Sequence, residues 1–199
     1  MSKTNNKKYT GSLIAAIIVS VIAIIADRFS KIAVTEYFVT GNEKVSVIPG
    51  VISFCYRLNN GAGFSILEGK TVFLIAFTAV AMALIIYLLV CGKYRSTLTN
   101  WGFCLVISGG VGNLIDRVFY GGQVVDFIST DFMDFPVFNV ADICVTVGAA
   151  LVILYFVIDT VNEKNGKDKL KEGFDGISNE ESYEDSEAEE NSDTAKGEK

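Results

Sequence analysis

Residues Thr71–Cys91 read TVFLIAFTAVAMALIIYLLVC, an apolar run without one charge. A hydrocarbon core about 30 Å thick takes roughly 20 helical residues at ~1.5 Å each, so this run predicts a membrane-spanning helix. Three further apolar runs match that length approximately. Residues 10–26 are apolar up to Asp27 and Arg28. Residues 101–120 end in GGVGNLIDRVFY, and residues 137–158 carry Asn139 and Asp142 near their start. The pattern predicts an all-α membrane protein, a bundle of four transmembrane helices. Between the first two helices, residues 45–58 (VSVIPGVISFCYRL) are β-branched and aromatic and are broken at Pro49 and Gly50. They predict two short strands and a turn, a small extracytoplasmic β element.

Lys7 and Lys8 before the first run resemble the start of a signal peptide. No small-residue cleavage site follows it; Asp27, Arg28 and Lys31 do, which favours an uncleaved span. Loop charges set the expected orientation. Lys3, Lys7 and Lys8, then Lys93 and Arg95, then Lys164, Lys167, Lys169 and Lys171 flank one side of the spans. The segment 121–136 has no Lys or Arg but holds Asp126, Asp131 and Asp134. Both termini are therefore expected in the cytoplasm, with 39–70 and 121–136 facing outward.

Composition sharpens this picture in two ways. Half of the residues are hydrophobic and the mean hydropathy is +0.39, too high for an ordinary soluble domain. The net charge of −6 is concentrated: residues 162–199 hold 13 acidic and six basic groups, a net of −7, leaving +1 for residues 1–161. The expected organisation is a four-helix membrane domain over 1–161 and a disordered acidic cytoplasmic tail over 162–199, too polar to offset its ordering entropy. The acidic balance argues against a nucleic-acid partner. The chain has no histidine, which excludes Ser-His-Asp and Cys-His hydrolases and His-ligated metals. The cysteines Cys55, Cys91, Cys104 and Cys144 have no metal-site spacing.

Ionisable groups inside a span cost roughly 2.5–3.5 kcal/mol at the bilayer centre on insertion scales and are functional candidates by default. Helical rise puts Asp27 about 25 Å along the first span and Asn113, Asp116 and Arg117 about 18–24 Å along the third. Asp142 lies about 8 Å from the outer end of the fourth. Three helices thus bring carboxylates to one outer layer, and Asp126, on the outer loop nine residues beyond Arg117, reaches it too. Each has a plainer reading: Asp27 and Lys31 as an interfacial i,i+4 pair, Asp116 with Arg117 as a helix-end pair, Asn139 as a helix cap. Gly109, Gly110 and Gly112 suit close helix approach.

Two neighbouring carboxylates cannot both ionise easily, so one holds a proton while the other acts as base toward water, a chemistry needing no metal or other cofactor. Asp126 and Asp142 fit this best, and Asp116 is the rival partner for Asp142, although Arg117 is expected to pair with it. A channel or transporter would need polar groups through the full depth of its spans, and the second span has none beyond Thr78. A structural assembly factor is the other class. A Ser30–Lys31 nucleophile pair fails because helix neighbours point about 100° apart.

These residues stand in four ordered blocks: Asp27-Arg28-Phe29-Ser30-Lys31; Asn59-Asn60-Gly61-Ala62-Gly63-Phe64-Ser65; Gly109 to Arg117 with Val124-Val125-Asp126-Phe127; and Phe138-Asn139-Val140-Ala141-Asp142. In these blocks the chain resembles the lipoprotein signal peptidase (signal peptidase II) family. The resemblance implies a cell-membrane aspartic endopeptidase that removes signal peptides from bacterial prolipoproteins, cleaving before the S-diacylglyceryl cysteine. It implies Asp126 and Asp142 as the catalytic pair. Asn59, Gly61, Asn113, Arg117 and Asn139 then bind substrate or support the site, and Asp27, Lys31 and Asp116 are structural. The expected partners are diacylglyceryl-modified prolipoproteins and membrane lipid, with the enzyme a monomer. Asn59 and Asn60 are expected to hold the peptide backbone. Arg28 departs from the family, where many members have Gln, and the acidic tail is longer than is typical.

Overall fold

A computed structural model describes residues 3–41, 44–61, 67–92 and 94–165 of the chain. The tail beyond residue 165 and the motif residues 62–66 lie outside the described residues. Among the described residues, four helices are long and apolar enough to cross a membrane. They are α1 (Lys3–Val39), α2 (Thr71–Cys91), α3 (Thr97–Phe119) and α4 (Val140–Asn165). Three strands, β1 (Val45–Ile48), β2 (Ile52–Asn59) and β3 (Val124–Thr130), form one antiparallel sheet in the order β1-β2-β3.

The helix boundaries differ from the apolar runs where local chemistry outweighs hydropathy. α1 does not stop at Ala26 but runs on through Asp27 and Lys31 to Val39, because those charges are paired rather than solvated. Its 37 residues span about 55 Å, well beyond a ~30 Å core. α3 starts four residues before Trp101. Ser96 accepts from the Leu98 N–H and Thr99 returns a bond to the Ser96 N–H, a capping box that satisfies otherwise orphaned donors. α4 begins at Val140 rather than 137 and continues through residues 162–165, which were expected to be disordered.

The hairpin expected over 45–58 is present. Pro49 and Gly50 make its turn, closed by the Val51 N–H on the Ile48 carbonyl at 2.9 Å. Gly50 sits at φ +74°, which costs a glycine little and follows proline in a type II turn. The third strand was not anticipated. Residues 124–130 were read as outer loop, but they pair with β2 from Asn59↔Val124 to Ile52↔Thr130. An irregularity between Phe54 and Arg57 leaves Arg57 opposite Asp126. The chain after β3 returns to it: the Phe127 and Ile128 N–H groups donate to the Phe138 carbonyl at 3.0 and 2.8 Å. This hook delivers the start of α4 to the middle of β3.

The chain divides into two compact units, Met1–Tyr155 and Phe156–Lys199; of the second, the described part is the last stretch of α4. Within the first unit, α1 and α2 both pack on α3. Its interior inverts the usual pattern. Among the described residues, the largest fully buried side chains are Lys31, Asn100, Asn139, Thr99, Asp116, Asp126 and Ser108. Val72, Phe77, Val80, Leu84 and Val90 of α2 are exposed, as are Ile17, Ile18 and Ile22 of α1. Apolar side chains outward and polar ones inward is the arrangement that lipid as solvent favours.

The run Gly109-Gly110-Val111-Gly112 lets three neighbours approach α3. A Cβ on Gly109 would lie 2.2 Å from the Ala141 carbonyl oxygen of α4. One on Gly110 would meet the Met82 sulfur of α2 at 3.0 Å, and one on Gly112 the Asp27 Oδ2 of α1 at 2.6 Å.

Candidate active site

Three of the four motif blocks line one cleft of about 820 Å³; the first, residues 27–31, reaches it only through the Lys31 bond to Asn113. Asn59, Asn113, Arg117, Asp126 and Asp142 line it, together with Phe138, Ile143 and Val147. Asp126 is not on a loop, as expected from the sequence, but in the middle of β3 and almost fully buried. Asp142 occupies the first turn of α4.

Asn139 joins the two carboxylates. Its Oδ1 accepts from the Asp142 N–H at 3.0 Å, and its own N–H donates to Asp142 Oδ2 at 3.1 Å. This reciprocal pair caps α4, so the capping role anticipated for Asn139 holds alongside a second one. The remaining amide nitrogen donates to Asp126 Oδ1 at 2.6 Å. Asn113 donates to Asp142 Oδ1 at 2.8 Å, and Asn59 donates to Asp126 Oδ2 at 2.8 Å. All four carboxylate oxygens of the two aspartates therefore accept an N–H.

None of these amides is free to turn around. Asn139 Oδ1 faces the Asp142 N–H, Asn59 Oδ1 faces the Gly61 N–H at 2.8 Å, and Asn113 Oδ1 faces the Lys31 ammonium at 3.1 Å. Each of those partners can only donate, so each NH2 must point at an aspartate. Asn59 thus spends one amide N–H on Asp126 and one carbonyl lone pair on Gly61. Asn60 accepts from Gln123 Nε2 at 2.7 Å.

Electrostatics distinguish Asp126. Burial pushes its pKa up from 3.8 to about 6; the Asn59 bond opposes this, and the nearby Asp142 carboxylate adds to it. A carboxyl group with a pKa near 6 keeps its proton into mildly acidic solution, as one member of a close carboxylate pair can.

Asp116 is not paired with Arg117, as its neighbour on the helix suggested. Adjacent helical residues diverge, and Asp116 instead meets Arg28 Nη1 at 3.1 Å and Lys31 Nζ at 2.9 Å, both from α1. Arg117 donates to the Gly61 carbonyl at 2.7 Å, and its buried Nε has no partner among the described residues. Arg28 also donates to the Tyr120 hydroxyl and stacks over that ring. Lys31 and Asp27 do form the expected i,i+4 pair, at 2.9 Å, but it is buried rather than interfacial. Asp27 also accepts from the Ala141 N–H at 2.9 Å.

The family model described as "Signal peptidase (SPase) II" matches residues 19–158. The lipoprotein signal peptidase of Enterococcus faecalis is 37% identical over 158 residues, covering 79% of this chain and 97% of that protein. That of Clostridium tetani is 40% identical over 144 residues, covering 71% and 91%. Two solved bacterial membrane enzymes share the fold. One aligns with a TM-score of 0.67 at 32% identity, over 74% of this chain and 90% of its own. The other has a TM-score of 0.62 at 31% identity, over 71% and 92%.

Proposed function

The chain belongs to the signal peptidase II family, membrane aspartic proteases that process prolipoprotein signal peptides, and we propose that Asp126 and Asp142 are its catalytic pair. The observation that carries this reading is the cleft itself: two aspartates from β3 and α4, bridged by one asparagine, with every oxygen held by an oriented N–H. Asp126, the carboxyl with the raised pKa, holds the proton and hydrogen-bonds the scissile carbonyl. Asp142 takes a proton from water, whose oxygen attacks that carbonyl carbon while Asp126 protonates the carbonyl oxygen; the tetrahedral intermediate collapses as Asp142 passes its proton to the leaving amine and Asp126 recovers one from the intermediate's hydroxyl. Asn59, Asn113 and Asn139 keep the two carboxylates fixed through this exchange. Arg117, its guanidinium held by the Gly61 and Asn113 carbonyls, lines the cleft and places positive charge beside the substrate's backbone.

The bond cleaved is the one before an S-diacylglyceryl cysteine. Such a substrate is anchored by its own apolar helix and acyl chains and arrives by lateral diffusion. The scissile bond then lies near a membrane interface, and the apolar wall of Ile143 and Val147 beside the pair suits that approach. The loop charges support an extracytoplasmic site with both termini cytoplasmic. The membrane domain ends near residue 161, and the acidic tail follows it.

Replacing either aspartate with asparagine keeps the shape but removes proton transfer. Purified, inserted Asp126→Asn and Asp142→Asn are each expected to lose roughly 10³-fold or more in cleavage of a diacylglyceryl-modified prolipoprotein, with the double variant scarcely worse. Substantial turnover by either single variant refutes the pairing.

A further inference from the structure

The catalytic pair is held by a second, deeper layer of charge that water activation does not use. Lys31 of α1 is 1% exposed, and its ammonium makes three contacts: Asp27 Oδ2 at 2.9 Å, Asp116 Oδ2 at 2.9 Å and Asn113 Oδ1 at 3.1 Å. An ammonium has three donors, so this set satisfies it completely.

Each partner leads, by one further bond, to the pair. Asp27 accepts from the Ala141 N–H, the residue before Asp142. Asp116 accepts from the Val125 N–H at 3.3 Å, the residue before Asp126. Asn113 donates to Asp142 itself. The two aspartates come from consecutive elements, a strand and a helix, and are sixteen residues apart in the sequence. Their backbones are tied to two buried carboxylates that share one cation.

We propose that Lys31 is a positioning residue for the reaction: it sets the spacing of Asp126 and Asp142 by clamping Asp27, Asp116 and Asn113 together. This rests on the reading of Asp126 and Asp142 as the catalytic pair. Stability alone explains the arrangement poorly. Buried ion pairs seldom repay the desolvation of their charges, and well-packed apolar replacements are often as stable. Neutralising Asp27 or Asp116 also needs no contact with Asn113, and Arg28 already supplies Asp116 with a cation. What the third contact adds is orientation: it forces the Asn113 NH2 toward Asp142. Gly112 makes room for this on α3, since a side chain there would strike Asp27.

The test compares purified full-length wild type, Lys31→Met and Lys31→Met/Asp27→Asn. The single variant leaves a buried carboxylate without its cation, so the double variant, which restores charge balance, is the informative one. Thermal unfolding is measured in detergent, and kcat and KM are measured separately on a diacylglyceryl-modified lipobox peptide. The double variant is expected to unfold near wild type yet lose about 100-fold in kcat, the effect of a ~1 Å misplacement, with KM changed by less than about threefold. Wild-type kcat in the folded double variant overturns the proposal and leaves Lys31 a counter-ion. A double variant that fails to fold also overturns it, because Lys31 is then a folding residue. Failure of the catalytic assignment is distinguished by its own result, turnover by Asp126→Asn or Asp142→Asn.

Discussion

The raised pKa of Asp126 makes a stability prediction separate from its catalytic role. Burial moves this carboxyl from 3.8 to about 6, so the folded protein binds its proton more tightly than the unfolded chain. The contribution is fully stabilising below the unfolded value and is lost as pH rises through about 6. A difference near two units corresponds to about 3 kcal/mol between the acid and neutral limits. Between pH 5 and pH 7.5 roughly 1 kcal/mol of that remains to be lost. Asp126→Asn removes this dependence. It also turns an NH2 toward either Asn59 Nδ2 or Asn139 Nδ2, neither of which can turn away, so one donor loses its acceptor at a cost of about 1–3 kcal/mol. At pH 7.5 the two effects largely cancel, and at pH 5 the variant should be the less stable protein. Detergent-solubilised wild type and Asp126→Asn are compared by thermal unfolding at both pH values, on preparations with the same helical content. The wild type should gain on the variant by roughly 1 kcal/mol on acidification. Parallel responses of the two proteins refute a carboxyl with a raised pKa at this position.

Three further outcomes follow from the packing and the charge pattern. Asp116→Asn strips the carboxylate from between Arg28 and Lys31 and should cost about 3–5 kcal/mol of stability; normal stability with abolished turnover would instead make Asp116 the catalytic partner. Gly109→Ala should destabilise by about 1–3 kcal/mol or more, because its Cβ would overlap the Ala141 carbonyl. Gly11→Ala, with open space around it, should be neutral or slightly stabilising, and equal unfolding temperatures for the two would contradict this packing. With the four native cysteines replaced, a cysteine at Gln123 should react with an impermeant external reagent and one at Ser96 should not; the reverse pattern would invert the orientation.

Several features were legible without the structure because they are local or compositional. Four spans follow from the number of apolar residues a bilayer requires, and Pro49–Gly50 encodes its turn through backbone geometry alone. The cluster of Asp27, Asn113, Asp116 and Asp142 at one depth follows from helical rise, because a transmembrane helix converts sequence position into depth. The motif blocks carried the family.

Other features depended on pairing across the chain. The VVDFIST run is β-branched, but whether it is a strand depends on finding β2, which comes some seventy residues earlier, so local pattern alone leaves Asp126 on a loop. α1 continues past the apolar run at Asp27 because hydropathy counts a charge as exposed, whereas Lys31 and Ala141 supply its partners. The partner of Asp116 was misread for the opposite reason: Arg117 is next in sequence, but on a helix it points elsewhere, and the cations that reach Asp116 come from α1. Sequence by itself determined how far along its helix each helical polar residue lies and which chemistry those residue types permit. Which of them touch was decided only by the tertiary structure, since depth is set along one helix and contact is set by rotation and packing between helices.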